Sequence, residues 1–118
     1  MANTTANSTQ KECSAGMLPI KDALTLLSGK WKIPIIMSLS FGGKRFKEIT
    51  KEVVGLSDKV LAKELKELEE NYLISRTALD TFPPTVAYEI TAHGRTLEKV
   101  ILELKNWGLQ HRKMVTGK

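Results

Sequence analysis

Val53-Val54-Gly55-Leu56-Ser57-Asp58-Lys59-Val60-Leu61-Ala62-Lys63-Glu64-Leu65-Lys66-Glu67-Leu68-Glu69-Glu70-Asn71-Tyr72 is the stretch on which the fold turns. Leu61, Leu65, Leu68 and Tyr72 recur at steps of four, three and four, the spacing that lines up one apolar face of a helix. Ser57 suits the N-cap, and Asp58 lies where the helix dipole favours a negative charge. Just upstream, Phe46, Ile49 and Val53 mark one face of a second helix whose other face carries Lys47, Glu48, Lys51 and Glu52. Val54-Gly55-Leu56 joins the two, and glycine can take the positive φ that a tight helix-turn-helix corner often needs. Any small α+β domain can contain a glycine corner, so the outward face of the second helix has to decide between a DNA reader and a bland scaffold.

Working upstream, Phe41-Gly42-Gly43 breaks the chain, and Lys44-Arg45-Phe46 can hold one short strand. Lys30 to Ser40 is apolar nearly all round, with Trp31, Ile33, Ile35, Ile36, Met37 and Leu39, and reads as the central buried helix. Pro34 falls in its first turn, where a missing N–H costs little. Before it, Ile20, Ala23, Leu24 and Leu27 mark a first helix starting at Pro19 and stopped by Ser28-Gly29. Residues 1–17 read as a flexible tail, rich in Asn, Thr, Ser and Ala without apolar period.

Downstream, Leu73 to Leu79 and Val86 to Ile90 are strand-compatible runs around the turn Asp80-Thr81-Phe82-Pro83-Pro84-Thr85, a hairpin. Thr91 can cap a last helix running to about His111, with Leu97, Val100, Ile101, Leu104 and Trp107 as its stripe; residues 113–118 form a basic tail. The order helix, helix, short strand, helix, glycine turn, helix, hairpin, helix gives an α+β, mainly α fold. It matches a winged helix-turn-helix domain over residues 18–112, with extra N- and C-terminal helices expected to form a dimer interface.

The 118 residues carry a net charge of +5, which favours a polyanionic partner. No apolar run approaches the roughly 20 residues a membrane helix needs, and the start lacks a secretion signal, so no membrane partner and a cytoplasmic address are expected. Cys13 is the single cysteine, and His93 and His111 stand far apart, so neither a disulfide framework nor a metal site is expected. With no glycine-rich phosphate loop, Gly-x-Ser-x-Gly or His-Glu-x-x-His, no cofactor and no catalysis are expected.

At 100° per residue, Lys59, Lys63 and Lys66 fall opposite the leucine stripe, in solvent or on phosphate. Glu67, Glu69 and Glu70 crowd the far end and would repel DNA, so the first half of the helix, with Ser57, Asp58, Lys59, Ala62 and Lys63, should enter the major groove. Lys44, Arg45 and Lys47 cluster at the start of the preceding helix, where N–H groups also face phosphate, and Arg45 is the best single phosphate contact. The wing lacks Lys and Arg at its tip, leaving Thr81, Thr85 and Arg76 to reach the duplex. Lysines opposite a core stripe can equally be a plain solvated face.

These residues carry a resemblance to the HxlR family of bacterial winged-helix regulators, across roughly Ala23 to His111. The matching stretches are Leu26-Leu27-Ser28-Gly29-Lys30-Trp31-Lys32, Arg45-Phe46-Lys47-Glu48-Ile49, Gly55-Leu56-Ser57-Asp58-Lys59-Val60-Leu61, Leu65-Lys66-Glu67-Leu68-Glu69, Pro83-Pro84-Thr85-Val86-Ala87-Tyr88 and Trp107-Gly108. The resemblance implies a homodimer held by the N- and C-terminal helices, bound to an inverted-repeat operator, with Ser57, Lys59 and Lys63 on the recognition helix. It also implies a candidate redox role for Cys13, since family members often carry a cysteine just before the first helix that in some senses electrophiles or oxidants. Here Ser14-Ala15-Gly16-Met17-Leu18 separates Cys13 from Pro19, whereas Cys-Pro is the frequent family pattern, so an inert thiol stands beside a sensing one.

For the dimer, the candidate residues are Ile20 and Leu24 on the first helix and Leu97, Ile101, Leu102, Leu104, Trp107 and Leu109 on the last. A satellite core within one chain would explain the same stripe. The expected partners are therefore double-stranded DNA and a second copy, with any small-molecule effector unspecified. The competing expectation is a winged-helix module that binds protein or ligand without touching DNA.

Overall fold

The computed structural model describes the backbone of residues 2–117 and the side chains of residues 15–117, in two compact units, residues 1–30 and 31–118. The first unit is helix α1, Ala2–Leu27, with Pro19 inside it. It therefore begins well before the expected start at Pro19. No apolar period precedes Gly16, so the sequence offered no face to read there, yet Ala, Gln, Lys, Glu, Met and Leu are all good helix formers. Proline removes one N–H from the ladder at its own turn and leaves the turns on either side free to form. The Cys13 side chain lies outside the described residues. Ser28 and Gly29 follow the helix; the Ser28 hydroxyl donates to the Thr25 carbonyl at 2.8 Å, and Gly29 takes φ 83°.

In the second unit the elements follow the expected order. Helix α2, Lys32–Leu39, holds Ile35, Ile36 and Leu39 at zero exposure, as an almost wholly apolar segment must. Strand β1, Lys44–Arg45, is short because Gly42 (φ 136°) and Gly43 precede it and helix α3, Phe46–Glu52, begins at once. The corner from Val53 to Ser57 turns at Gly55, φ 89°, into helix α4, Asp58–Glu70. Ser57 caps α4 by accepting the Val60 N–H at 3.2 Å.

Strands β2, Ile74–Leu79, and β3, Thr85–Ile90, pair antiparallel from Ile74 opposite Ile90 to Leu79 opposite Thr85. Strand β1 adds on the far side of β3, with Lys44 opposite Tyr88, giving the order β1-β3-β2. This is a small sheet with the hairpin as a wing. Leu61, Leu65 and Leu68 from α4 join Ile49, Leu73 and Ile74 in the core beside α2.

Two details depart from the sequence reading. Tyr72, placed on the core stripe, is 78% exposed and sits past the end of α4 with φ 63°. The chain turns out of the helix at Asn71, so Leu73 takes the buried place that helical periodicity assigned to Tyr72. The last helix also comes in two pieces, α5, Ala92–Arg95, and α6, Leu97–Thr116, the second running through most of the stretch expected to be a tail. At α5 Thr91 is the cap, accepting from Gly94 N–H at 2.9 Å, while its hydroxyl lies 2.6 Å from the Tyr72 carbonyl oxygen. A methyl group on Gly94 would stand 2.1 Å from the Leu73 carbonyl oxygen, so only glycine lets α5 approach that backbone.

Candidate nucleic-acid interface

Helix α4 is fixed by its buried face and presents the rest. With Leu61 and Leu68 fully buried and Leu65 at 2% exposure, the helix cannot rotate without expelling a leucine. Its exposed residues include Ser57, Asp58, Lys59, Ala62, Lys63 and Lys66. Among the described residues none of these three lysines has an ion pair, so their charges are available to a polyanion. The N-terminal end of the helix adds the partial positive charge of its unpaired N–H groups to the same side.

The basic cluster before α3 divides. Arg45 is exposed at the N-cap of α3, where its backbone N–H donates to Glu48 Oε1 at 2.9 Å and leaves the guanidinium outside that contact. Lys47, exposed on the first turn, accompanies it. Lys44 does not join them. Its ammonium donates to the Ser38 carbonyl and pairs with Glu52 at 3.0 Å, while the Ser38 hydroxyl donates to the same carboxylate at 2.9 Å. Lys44 thus ties β1 to α2 and α3. Hydrogen bonds from Lys44 and Ser38 hold the Glu52 carboxyl below the ordinary carboxylate range, against the opposing effect of burial.

On the wing, Arg76 is exposed on β2 opposite Tyr88. At the tip, Thr81 Oγ1 donates to the Pro83 carbonyl at 2.9 Å and lies 2.9 Å from Thr85 Oγ1, so these hydroxyls already serve one another. Phe82 between them is fully exposed, an apolar tip that a search for charged groups passes over.

Sequence reasoning also missed Lys32. It is 7% exposed at the start of α2, and its ammonium lies 2.6 Å from Glu64 and 2.5 Å from Glu67, both on α4. Burial lowers the Lys32 pKa, but the hydrogen bonds and charges of the two glutamates outweigh it and raise the value overall. The signal that could have found it is a lysine inside an otherwise apolar helix, which must have partners to be buried.

The expected dimer residues are exposed: Ile20 and Leu24 on α1 at 51% and 65%, and Leu102, Leu104, Trp107 and Leu109 on α6 at 51–63%. Leu97 and Ile101 are half-buried, and Trp107 stacks on His111 with ring centroids 4.8 Å apart. Among the described residues no helix is long and apolar enough to cross a membrane, and no three His, Cys, Asp or Glu side chains could hold a metal ion.

A three-stranded sheet with its hairpin wing beside a helix-turn-helix pair defines a winged helix-turn-helix fold. The chain belongs to the HxlR-like helix-turn-helix family, whose model matches residues 26–116. It is 41% identical over 91 residues to the HTH-type transcriptional regulator YodB of Bacillus subtilis, covering 77% of this chain and 81% of that one. It is 38% identical over 94 residues to the uncharacterized regulator YdeP of the same organism, with 80% and 73% covered. Among solved structures it is similar to the redox regulator HypR in its reduced form, with a TM-score of 0.76 and 32% identity over 85% of this chain and 99% of that one. Reduced YodB gives a TM-score of 0.75 and 36% identity over 85% and 95%.

Proposed function

We propose that this chain is a non-catalytic, sequence-specific regulator that binds double-stranded DNA as a homodimer on an inverted repeat. One observation carries the reading: α4 is locked by three buried leucines while Lys59, Lys63 and Lys66 stand exposed and outside any ion pair among the described residues. In this reading Ser57, Asp58, Lys59, Ala62 and Lys63 lie nearest the bases, and the ammonium of Lys63 meets phosphate along with Lys66, Arg45, Lys47 and Arg76. Lys44 leaves the expected phosphate set because its charge is spent inside the fold. Thr81 and Thr85 stay at the wing tip with their hydroxyls directed at each other.

A two-fold axis supplies what one α4 cannot. Two recognition helices about 34 Å apart meet successive major grooves and turn two weak contacts into one firm one. Ile20, Leu24, Leu97, Ile101, Leu102, Leu104, Trp107 and Leu109 form the proposed contact between copies. The test is capture of genomic fragments by the purified chain, then competition of the recovered duplex with an equal mass of heparin-like polyanion. The reading expects the duplex to win and the complex to sediment as two chains per duplex; indifference between the two polyanions contradicts it.

A response of Cys13 to oxidants or electrophiles is the finer part of the reading. It is supported by likeness to HypR, named a redox regulator, and to YodB, solved in diamide-treated and quinone-bound forms. The reading expects a dimer-sized band on a non-reducing gel after mild oxidation, and its absence removes the disulfide switch.

A further inference from the structure

Helix α4 contains the charges that would spoil its own use. Glu67 stands four residues after Lys63, one helical turn on, where an acidic and a basic side chain meet on the surface. At 100° per residue Glu67 falls between the basic face and the leucine stripe, 40° from Lys63. An unoccupied Glu67 would draw the Lys63 ammonium along the helix and set a negative charge beside the phosphates.

Glu67 is occupied from the other side. Lys32, buried at the start of α2, reaches it at 2.5 Å and Glu64 at 2.6 Å, so one ammonium engages two carboxylates one turn apart. The hydrogen bond from Lys32 is the main cause holding the Glu67 carboxyl below the ordinary range; burial opposes it, and the charges of Lys32 and Lys63 add to it. Glu67 therefore feels both lysines and bonds to one.

We infer that Lys32 is a positioning residue for DNA recognition: by holding Glu67 against α2 it keeps the Lys63 ammonium free for the duplex. It touches no nucleotide itself. The inference rests on the DNA-binding reading, and it predicts a behaviour that a plain structural ion pair does not. Removing Lys32 should cost the same electrostatic contact as removing Lys63, and neutralising Glu67 should return it.

The full chain is titrated on a captured duplex across a salt series, with Lys63→Ala, Lys32→Met, Glu67→Gln and the Lys32→Met/Glu67→Gln double variant beside the parent. Each phosphate contact contributes about one to the slope of log affinity against log salt. Lys63→Ala and Lys32→Met should each lower the slope by about one, and the double variant should recover the parent slope. A parental slope in Lys32→Met overturns the inference. So does a loss that Glu67→Gln fails to restore. If thermal melting shows Lys32→Met unfolded, Lys32→Gln takes its place, with a slope lowered by about one and restored by Glu67→Gln supporting the role given to Lys32 and a parental slope overturning it.

A measurement on the free protein separates this inference from the reading beneath it. By NMR the side-chain ammonium resonance of Lys63 should move in Lys32→Met, as it gains Glu67 as a partner, and return in the double variant. No movement overturns the exchange of partners. Movement in Lys32→Met, when the parent chain shows no salt-dependent duplex binding, supports the exchange and contradicts the DNA reading.

Discussion

Helices α4 and α6 are both amphipathic, and only one of them is satisfied. Three leucines of α4 are wholly or almost wholly buried, whereas none of the described residues of α6, over Leu97–Thr116, is buried. Yet α6 carries the larger apolar load, with Val100, Leu102, Leu104, Trp107, Leu109, Met114 and Val115 all more than 40% exposed. At 100° per residue Val100, Leu104, Trp107, Met114 and Val115 share one face of α6, and Leu102 and Leu109 the opposite one. Isolated exposed leucines need no explanation, but exposed apolar area on that scale marks a surface made to be covered. One helix is thus an organ of the fold, held still to present lysines. The other is proposed to act between copies.

That contrast can be broken most forcefully at α4. Leu65→Ala should lower unfolding free energy in a urea melt by about 2–5 kcal/mol, the cost of a cavity in a packed core. Next in size is Gly94→Ala, where the added methyl meets the Leu73 carbonyl oxygen; about 3 kcal/mol is expected, because the obstacle is backbone that cannot swing away. Ser57→Ala removes the cap of α4 and should cost about 1 kcal/mol by the same melt, with weaker duplex binding as the first turn frays.

Leu104→Ala should change the stability of the dilute, monomeric chain by less than about 1 kcal/mol, as an exposed position does. Sedimentation should nevertheless show a weaker dimer. A core-sized loss in the monomer would instead assign α6 to the fold of a single chain.

The smallest effect sharpens the account of Lys44. The Glu52 carboxyl is held below its ordinary value in the folded state, so its contribution is present above the unfolded carboxylate range and fades as pH falls through the folded value. Glu52→Gln should therefore lower stability most at neutral pH and leave the acid end nearly unchanged, which flattens the acid side of the profile. An unchanged acid limb would contradict the Lys44–Glu52 tie.

The legible parts of this molecule were those governed by periodicity and caps. The stripe at Leu61, Leu65 and Leu68, the cap at Ser57, the corner at Gly55 and the hairpin all follow from local rules, and all occupy their expected places. What could not be read depended on partners distant in sequence. Lys44 and Lys47 look alike in a basic cluster, and only the approach of Glu52 and Ser38 separates them. Lys32 reads as one polar residue in an apolar helix until Glu64 and Glu67, more than thirty positions on, arrive beside it. Tyr72 kept the helical period that the chain had already left at Asn71.

Footprinting with hydroxyl radical on a captured duplex addresses the central claim at once. Two copies each offering one α4 should protect two patches on one face, about 10 base pairs apart from centre to centre, and inserting half a helical turn between them should abolish tight binding. A single protected patch, or binding indifferent to the insertion, would contradict it.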